Sequence, residues 1–331
     1  MRDRAMDRPL ADIRIASASA HSIPTGGEDV NRLPLRKDLR RYRQMYLLAL
    51  PMVIFYILFI YIPMYGITIA FKDYSVVTGI TGSPWVGLDR VREVFDNVFF
   101  QRAFVNTLLI SLGKIVFGFP VPIALALLLN ELRSRWFKGL FQNIMFIPYF
   151  LSWIVFAGII ENLFNGSGLI NGIRVNQNLD VISFLAEGDW FLGIVFITDI
   201  VKSAGWETVI YLAALTGIDP HLYEAAQVDG ANRWKQTFHI TLPGLANTIV
   251  VLLILRVGYL MFAGFEQIFS LYSPIVYDVA DILDTFVYRI GIEQGDYSFA
   301  AAAGLFQGII GLTLLFTVNK IAQKIGSAGL F

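Results

Sequence analysis

Residues 46–70 read YLLALPMVIFYILFIYIPMYGITIA and contain no charged residue. An α-helix needs about 20 mostly apolar residues to cross the hydrocarbon core of a bilayer. The stretch is long enough to cross, and it lacks the strict apolar–polar alternation of a half-buried strand. It therefore predicts a transmembrane helix that begins near Tyr46 and ends near Ala70.

Five further stretches are also long and mostly apolar, and the composition agrees with a membrane protein. The 331 residues are 56% hydrophobic and 16% charged, whereas soluble domains carry about 25% charged residues. The predicted fold class is an all-α integral membrane protein with six transmembrane helices. The predicted spans are Tyr46–Ala70, Phe104–Leu129, Leu140–Leu163, Trp190–Thr216, Leu245–Tyr272 and Phe299–Val318.

The basic residues that flank these spans predict the orientation. Thirteen lie on one side: six in the flank of residues 32–43 before the first span, three between the second and third, two between the fourth and fifth, and two after the sixth. The opposite side has six, and its loops are acidic. Because cytoplasmic loops carry the excess of Lys and Arg, we expect a multi-pass protein with both termini in the cytoplasm.

Several function classes are excluded by composition. Twenty-six basic and 26 acidic residues cancel, so no net field marks a nucleic-acid partner. The absence of cysteine and the presence of only three histidines argue against a metal site. No phosphate-binding loop occurs, since the only Gly-Lys pair, Gly113-Lys114, is followed by Ile115. We therefore expect no cofactor in this chain and no enzyme activity of its own.

The loop between the fourth and fifth spans, residues 217–244, has a distinctive pattern. It includes DPHLYEAAQVDGANRWKQTFHITLPG from Asp219 to Gly244. Asp219 and Pro220 are typical of the cap and first position of a helix, and a glycine such as Gly230 ends helices in a left-handed conformation. Chain re-entry into the membrane is expected at Pro243, in a first helical turn where its missing N–H is harmless. Leu222, Tyr223 and Ala226 should share one face of the short helix. The small side chains of Ala225 and Ala226 should leave the helix thin enough to enter a groove on a partner.

The spacing of this loop, EAA-x3-G-x9-I-x-LP, resembles the coupling motif of permease subunits of ABC importers. Its fixed positions are Glu224, Ala225, Ala226, Gly230, Ile240, Leu242 and Pro243. The resemblance implies that the short helix docks on a cytoplasmic ATP-binding subunit. Glu224 would contact that subunit or cap its own helix, and Gly230 would set the turn. ATP and Mg would then be bound by the partner subunits.

The wider sequence resembles the carbohydrate-uptake, maltose-type branch of these permeases. The segments YIPMYGITIAFKDYS, WVGLDRVREVF and FIPYFLSWIVFAGII resemble permeases for lipo-oligosaccharides, aldouronate and alginate. This implies an oligosaccharide or polysaccharide substrate, acidic or neutral, carried by alternating access in the cell inner membrane. The implied partners are a second homologous permease subunit, two ATP-binding subunits, an extracytoplasmic solute-binding protein and membrane lipid.

The domain organisation follows from the spans and the resemblance. We expect a disordered extension over residues 1–34, a basic interfacial segment over 35–45 and the permease domain over 46–324. Residues 325–331 would form a C-terminal tail.

Charged residues inside the predicted spans are candidates for a substrate pathway, because an intramembrane charge costs at least about 3 kcal/mol unless it is matched. The fourth span places Asp199, Lys202, Ser203 and Trp206 in one stripe, with Glu207 beside it. An internal Asp199–Lys202 pair and a sugar-facing surface both explain this stripe.

The fifth span adds Arg256 and Tyr259 to the candidate pathway, and we expect Lys114 and Glu266 to serve in ion pairs. A different class of function remains open on these charges. The carboxylates of Asp199, Glu207 and Glu266 would suit an ion-coupled secondary transporter that needs no ATP.

Overall fold

The computed structural model describes residues 42–132 and 134–324. The expectations for residues 1–34, for most of the basic segment 35–45 and for the tail 325–331 lie outside the described residues. The chain divides into two compact units, one ending at Pro63 and the other beginning at Met64.

The described part of the first unit is one apolar helix. Helix α1 spans Arg43–Tyr56 and passes into a π-helical turn over Ile57–Tyr61. Every residue from 43 to 61 is exposed. A helix that is apolar on all sides is suited to lipid contact.

The second unit is built from helices joined by short connections. Its main helices are α2 (Asp89–Asp96), α3 (Val98–Gly113), α4 (Pro120–Glu131), α5 (Arg135–Phe150), α6 (Trp153–Phe164), α7 (Leu169–Asn176), α8 (Gly188–Leu215), α9 (Pro220–Val228), α10 (Leu242–Gly258), α11 (Phe265–Leu271), α12 (Leu283–Tyr288) and α13 (Tyr297–Lys324). Helices α3 and α4 are linked by a π-helical turn, Lys114–Gly118. This turn precedes Pro120, where the ladder of backbone hydrogen bonds lacks a donor.

Five helical stretches of the described residues are long and apolar enough to cross a membrane. They cover residues 43–71, 98–131, 153–176, 233–258 and 297–324. The predicted fourth span corresponds to α8, whose 28 residues reach about 42 Å. Helix α8 stands apart because it contains Asp189, Asp199, Lys202 and Glu207. Within residues 42–132 and 134–324, the five apolar stretches are thus accompanied by one long helix that carries charges.

Two predicted spans are broken, and the expectation of a continuous helix was wrong for both. The third, Leu140–Leu163, is interrupted at Leu151 and Ser152, where the backbone is extended and Ser152 caps α6 by accepting the N–H of Val155 at 3.3 Å. The fifth, Leu245–Tyr272, is interrupted between α10 and α11. Gly264 there adopts φ +98°, which L side chains disfavour.

Helix α8 lies at the centre of the second unit. It packs against α4, α5 and α10 and against the π-helical turn between α3 and α4. Its side chains Phe191, Val195 and Tyr211 are fully buried. This position places the charges of α8 next to the turn that carries Lys114 and next to the end of α10.

Candidate functional site: a charged cavity and the loop 217–244

A cavity of about 430 Å³ opens between the Lys114–Gly118 turn, α8, α10 and the break that follows α10. Six of the seven residues that the sequence predicted for a substrate pathway line it: Asp199, Ser203, Trp206, Glu207, Arg256 and Tyr259. Lys114, Phe119 and Phe262 line it as well. Helical spacing of three and four residues along α8 brings its polar stripe to one wall, and the break after α10 brings Tyr259 and Phe262 to another.

The charged side chains of the cavity form two ion pairs. Lys114 Nζ lies 3.2 Å from Asp199 Oδ1, and the guanidinium of Arg256 binds the Glu207 carboxylate. These four side chains are only 11–20% exposed. The formal charge of the cavity is zero, because each cation faces one anion. The predicted pairing of Lys114 is present, with Asp199 as its partner.

Lys114 has further partners that fix it in place. Its ammonium donates to the Ala263 carbonyl at 2.8 Å and to the Gln267 side-chain oxygen. It extends from a π-helical turn, a distortion that often accompanies functional sites. The same turn brings Gly118 close to Arg256, since a Cβ at position 118 would lie 3.4 Å from Arg256 Nη1.

Aromatic side chains give the cavity exposed apolar surfaces beside its charged groups. Trp206 is 44% exposed and Tyr259 is 66% exposed. The indole of Trp206 also stacks on Tyr149 of α5, with ring centroids 5.0 Å apart and an interplanar angle of 7°. Apolar ring faces beside carboxylates and cations can hold a ligand that has both an apolar face and many hydroxyl groups.

Lys202 is the one predicted pathway residue outside the cavity wall, and the Asp199–Lys202 pair was wrong. The ammonium of Lys202 turns toward α5, where it donates to the carbonyls of Pro148 (3.2 Å), Tyr149 (3.1 Å) and Leu151. Residues 199 and 202 are on one stripe, but the ends of their side chains point to different neighbours. Glu266 is exposed and belongs to none of the ion pairs within 4 Å among the described residues.

Some lining residues could not be recognised from sequence. Phe119 and Phe262 are two of 27 phenylalanines, and most aromatic residues in apolar spans face lipid or pack in the core. Tyr149 lies in a stretch predicted as a continuous helix. Nothing in the sequence indicated that its ring would stack on Trp206 of another helix. Lys114 did have one, because it is a cation inside a predicted span.

On the cytoplasmic side predicted by the basic residues, α9 has the ends that the sequence indicated. The Asp219 carboxylate accepts the N–H of His221 at 2.9 Å, and Pro220 occupies the first turn. At the other end Gly230 adopts φ +75°. Its N–H donates to the Gln227 carbonyl at 3.1 Å, and the next N–H, of Ala231, donates to the Ala226 carbonyl at 2.8 Å. These two bonds define a Schellman cap.

The faces of α9 divide into an attached side and an open side. Tyr223 and Ala226 are half-buried, and the Tyr223 hydroxyl lies 3.0 Å from the Thr241 hydroxyl. Leu222, Glu224 and Ala225 are exposed. Leu222 thus does not share the attached face with Tyr223 and Ala226, and Glu224 bonds His221 at 3.2 Å rather than capping the helix.

Pro243 is the second residue of α10 and lies in its first turn, as predicted. A further helical stretch precedes α10. It begins at Arg233, where Asn232 accepts the N–H of Lys235 at 2.9 Å, and passes through a π-helical turn at Thr237–Thr241 into α10. The π-helical turn just before it shifts the hydrogen-bond ladder where the proline has no N–H. Ile240 and Leu242 are half-buried, and Pro243 is exposed.

On the opposite side of the bundle, acidic residues of the segment 277–289 are used for internal contacts. Asp281 is buried and binds Arg289 at 2.5 Å, while Asp278 binds Arg102. Burial alone would lower the pKa of the Arg289 guanidinium, but its hydrogen bond and proximity to Asp281 raise that pKa above its usual value. The Asp278–Arg102 pair holds the segment against α3, and the Asp281–Arg289 pair ties the segment to itself across α12.

Comparison with known proteins places these features in context. A family model described as binding-protein-dependent transport system inner membrane component matches residues 118–327. The chain is 42% identical over 294 residues to protein LplB of Bacillus subtilis, covering 88% of this chain and 92% of LplB. It is also 42% identical over 305 residues to the polygalacturonan/rhamnogalacturonan transport system permease protein YteP of the same organism, covering 92% and 94%.

A solved structure resembles the whole fold. A chain of a bacterial alginate ABC transporter, in complex with an alginate pentasaccharide-bound periplasmic protein, superposes with a TM-score of 0.83. The two chains are 38% identical, and the match covers 89% of this chain and 99% of the other.

Proposed function

We propose a substrate and a pathway for this chain, which belongs to the family of inner membrane components of binding-protein-dependent transport systems. It is a permease subunit of a sugar-importing ABC transporter. The function that its cavity supports best is the import of acidic oligosaccharides, with the charged cavity as its share of the pathway.

The observation that carries this proposal is the pairing of two cations with two anions beside exposed aromatic rings. The pairs avoid the cost of unmatched charge inside a membrane. A sugar carboxylate entering the cavity can take the place of Asp199 at Lys114 or of Glu207 at Arg256. A neutral sugar offers only hydroxyl groups, which compete weakly with a carboxylate for a cation.

The relatives support an acidic substrate. Polygalacturonan, in the name of one relative, is a polymer of carboxylated sugars, and the matching solved transporter is described as importing the acidic polysaccharide alginate. The stacked pair Tyr149–Trp206 and the exposed ring of Tyr259 would pack on the apolar faces of the sugar rings, while hydroxyl groups bind Ser203 and the carboxylates.

The energy would come from separate ATP-binding subunits, which also bind ATP and Mg. The open side of α9, formed by Leu222, Glu224 and Ala225, is the surface we assign to that contact. Tyr223 and Ala226 attach the helix to the bundle, so a push on α9 would reach α10 through the Tyr223–Thr241 bond. Both termini would be cytoplasmic, as the excess of basic residues on that side indicates.

A second homologous permease subunit would complete the pathway, and an extracytoplasmic solute-binding protein would deliver the sugar. Alternating access would then expose the cavity first to that protein and afterwards to the cytoplasm. An ion-coupled transporter is not favoured, because Asp199 and Glu207 are held by cations and Glu266 lies outside the cavity.

The test is ATPase activity of the complete transporter in proteoliposomes with its solute-binding protein. Oligosaccharides of uronic acids should stimulate hydrolysis, and neutral oligosaccharides of equal length should not. The double variant Lys114→Met with Asp199→Asn removes one pair without leaving an orphan charge. It should weaken the response to acidic sugars while assembly persists. Equal stimulation by neutral and acidic sugars would refute the acidic substrate, and uptake by this chain alone without ATP would refute the ABC mechanism.

A further inference from the structure

Lys202 is a buried charge that the pathway above does not use. The residue is 9% exposed, and no carboxylate lies within 4 Å of its ammonium among the described residues. Its neighbours are the carbonyls of Pro148, Tyr149 and Leu151 and the ring of Trp153, 5.2 Å from Nζ. They lie in the last turn of α5, at Leu151 in the break and at the start of α6.

The break leaves backbone carbonyls without partners in the helix, and the ammonium of Lys202 donates to them. Helix α5 ends at Phe150, and the last carbonyls of any helix lack partners within it. In a membrane there is little water to satisfy them. The C-terminal end of a helix also carries partial negative charge, which favours a cation. A single ammonium with three donors matches the three carbonyls that converge on it at the end of α5.

The same face of α8 makes two more close contacts with α5. Gly205 lies against the backbone of Met145, because a Cβ at position 205 would be 2.1 Å from the Met145 carbonyl oxygen. One residue further, Trp206 stacks on Tyr149. Positions 202, 205 and 206 are spaced by three and four residues, so they form one contact surface on α8. This surface holds the last turn of α5 at a fixed distance and angle.

We propose that Lys202 is a positioning residue of the saccharide pathway, which holds the carbonyls of the α5–α6 break and so keeps Tyr149 stacked on Trp206. The ring of Tyr149 is attached to one of the peptide units that the ammonium binds. Tyr149 covers one face of the indole, and the remaining surface of Trp206 lines the cavity. This inference rests on the proposed function, and it assigns Lys202 no contact with the sugar.

The test uses the complete transporter in proteoliposomes and two variants at one position. Lys202→Met keeps the length of the side chain but removes the donors, whereas Lys202→Gln keeps amide donors without charge. We expect Lys202→Met to raise the half-saturating concentration of a uronic-acid oligosaccharide in the ATPase assay by about tenfold, the upper range for one aromatic pair. The maximal rate should stay unchanged, and Lys202→Gln should remain near the wild-type value.

A double-variant comparison separates positioning from direct contact. Tyr149→Ala should produce the same rise as Lys202→Met, and combining the two should add little, since both remove one stack. Multiplying effects in the double variant would overturn the positioning role.

The Trp206→Ala variant distinguishes failure of this inference from failure of the proposed function. If Trp206→Ala abolishes the saccharide response while Lys202→Met and Lys202→Gln respond as wild type, the inference fails and the pathway stands. If Trp206→Ala responds as wild type, the proposed pathway itself fails. If Lys202→Met does not assemble, the comparison of Lys202→Gln with wild type decides, and a tenfold rise in Lys202→Gln would overturn the role of the donors.

Discussion

Replacement of Gly230 tests the coupling role of α9 most directly. Gly230 adopts φ +75° and forms a cap in which two N–H groups satisfy the last carbonyls of the helix. A Cβ at this position would meet no atom within 4 Å. Substitution therefore strains the backbone without causing a clash, which isolates the conformational cost.

The size of the effect follows from that cost. A left-handed conformation costs an L-residue about 1–2 kcal/mol, and Asn tolerates it better than other residues. Helix α9 has only nine residues, and helices so short are marginal without their caps. A loss of 1–2 kcal/mol changes the ratio of capped to uncapped helix by about 5–30-fold.

The assay measures saccharide uptake and ATP hydrolysis in the same proteoliposomes. We expect Gly230→Val to lower the uptake per ATP hydrolysed, Gly230→Ala to lower it less and Gly230→Asn to remain closest to the wild type. Membrane insertion should be equal in all three. The reasoning is refuted if Gly230→Val transports as well as the wild type, or if Gly230→Asn is as impaired as Gly230→Val, because the side chain rather than the backbone would then matter.

Three further substitutions test the cap of α9, the packing of α8 on α5 and an ion pair of the cavity. Asp219→Ala removes the N-terminal cap of α9 and should cost about 1 kcal/mol of helix stability, seen as a smaller reduction in coupled uptake than Gly230→Val causes; an unchanged uptake would contradict it. Gly205→Ala places a Cβ against the Met145 carbonyl, and we expect a loss of about 1–3 kcal/mol from overpacking, measured as a lower unfolding temperature in detergent. Glu207→Gln leaves the Arg256 guanidinium unmatched, so it should destabilise the protein more than the double variant in which Arg256→Met is added; the opposite order would show that the pair is dispensable.

The breaks in the third and fifth predicted spans could not be predicted from the sequence. The apolar runs Leu140–Leu163 and Leu245–Tyr272 were long enough to be predicted as single helices. Length and hydropathy indicate that a segment lies in lipid, but they do not indicate whether its helix is continuous. Ser152 and Gly264 were visible, but single Ser and Gly residues are common in membrane helices. The breaks depend on donors and space supplied by other helices, such as Lys202 of α8 and Lys114 of the α3–α4 turn.

The sequence by itself determined the membrane location, the approximate spans and the ends of α9, because these depend on local composition and on residues a few positions apart. The roles of Asp219, Pro220 and Gly230 at the ends of α9 follow from the local preferences of these residue types. The tertiary structure decided which charges meet. Asp199 could have paired with Lys202 along its own helix, but Lys114 reaches it from another element while Lys202 reaches the end of α5. The direction of a long side chain depends on the helices around it, and no spacing within one helix contains that information.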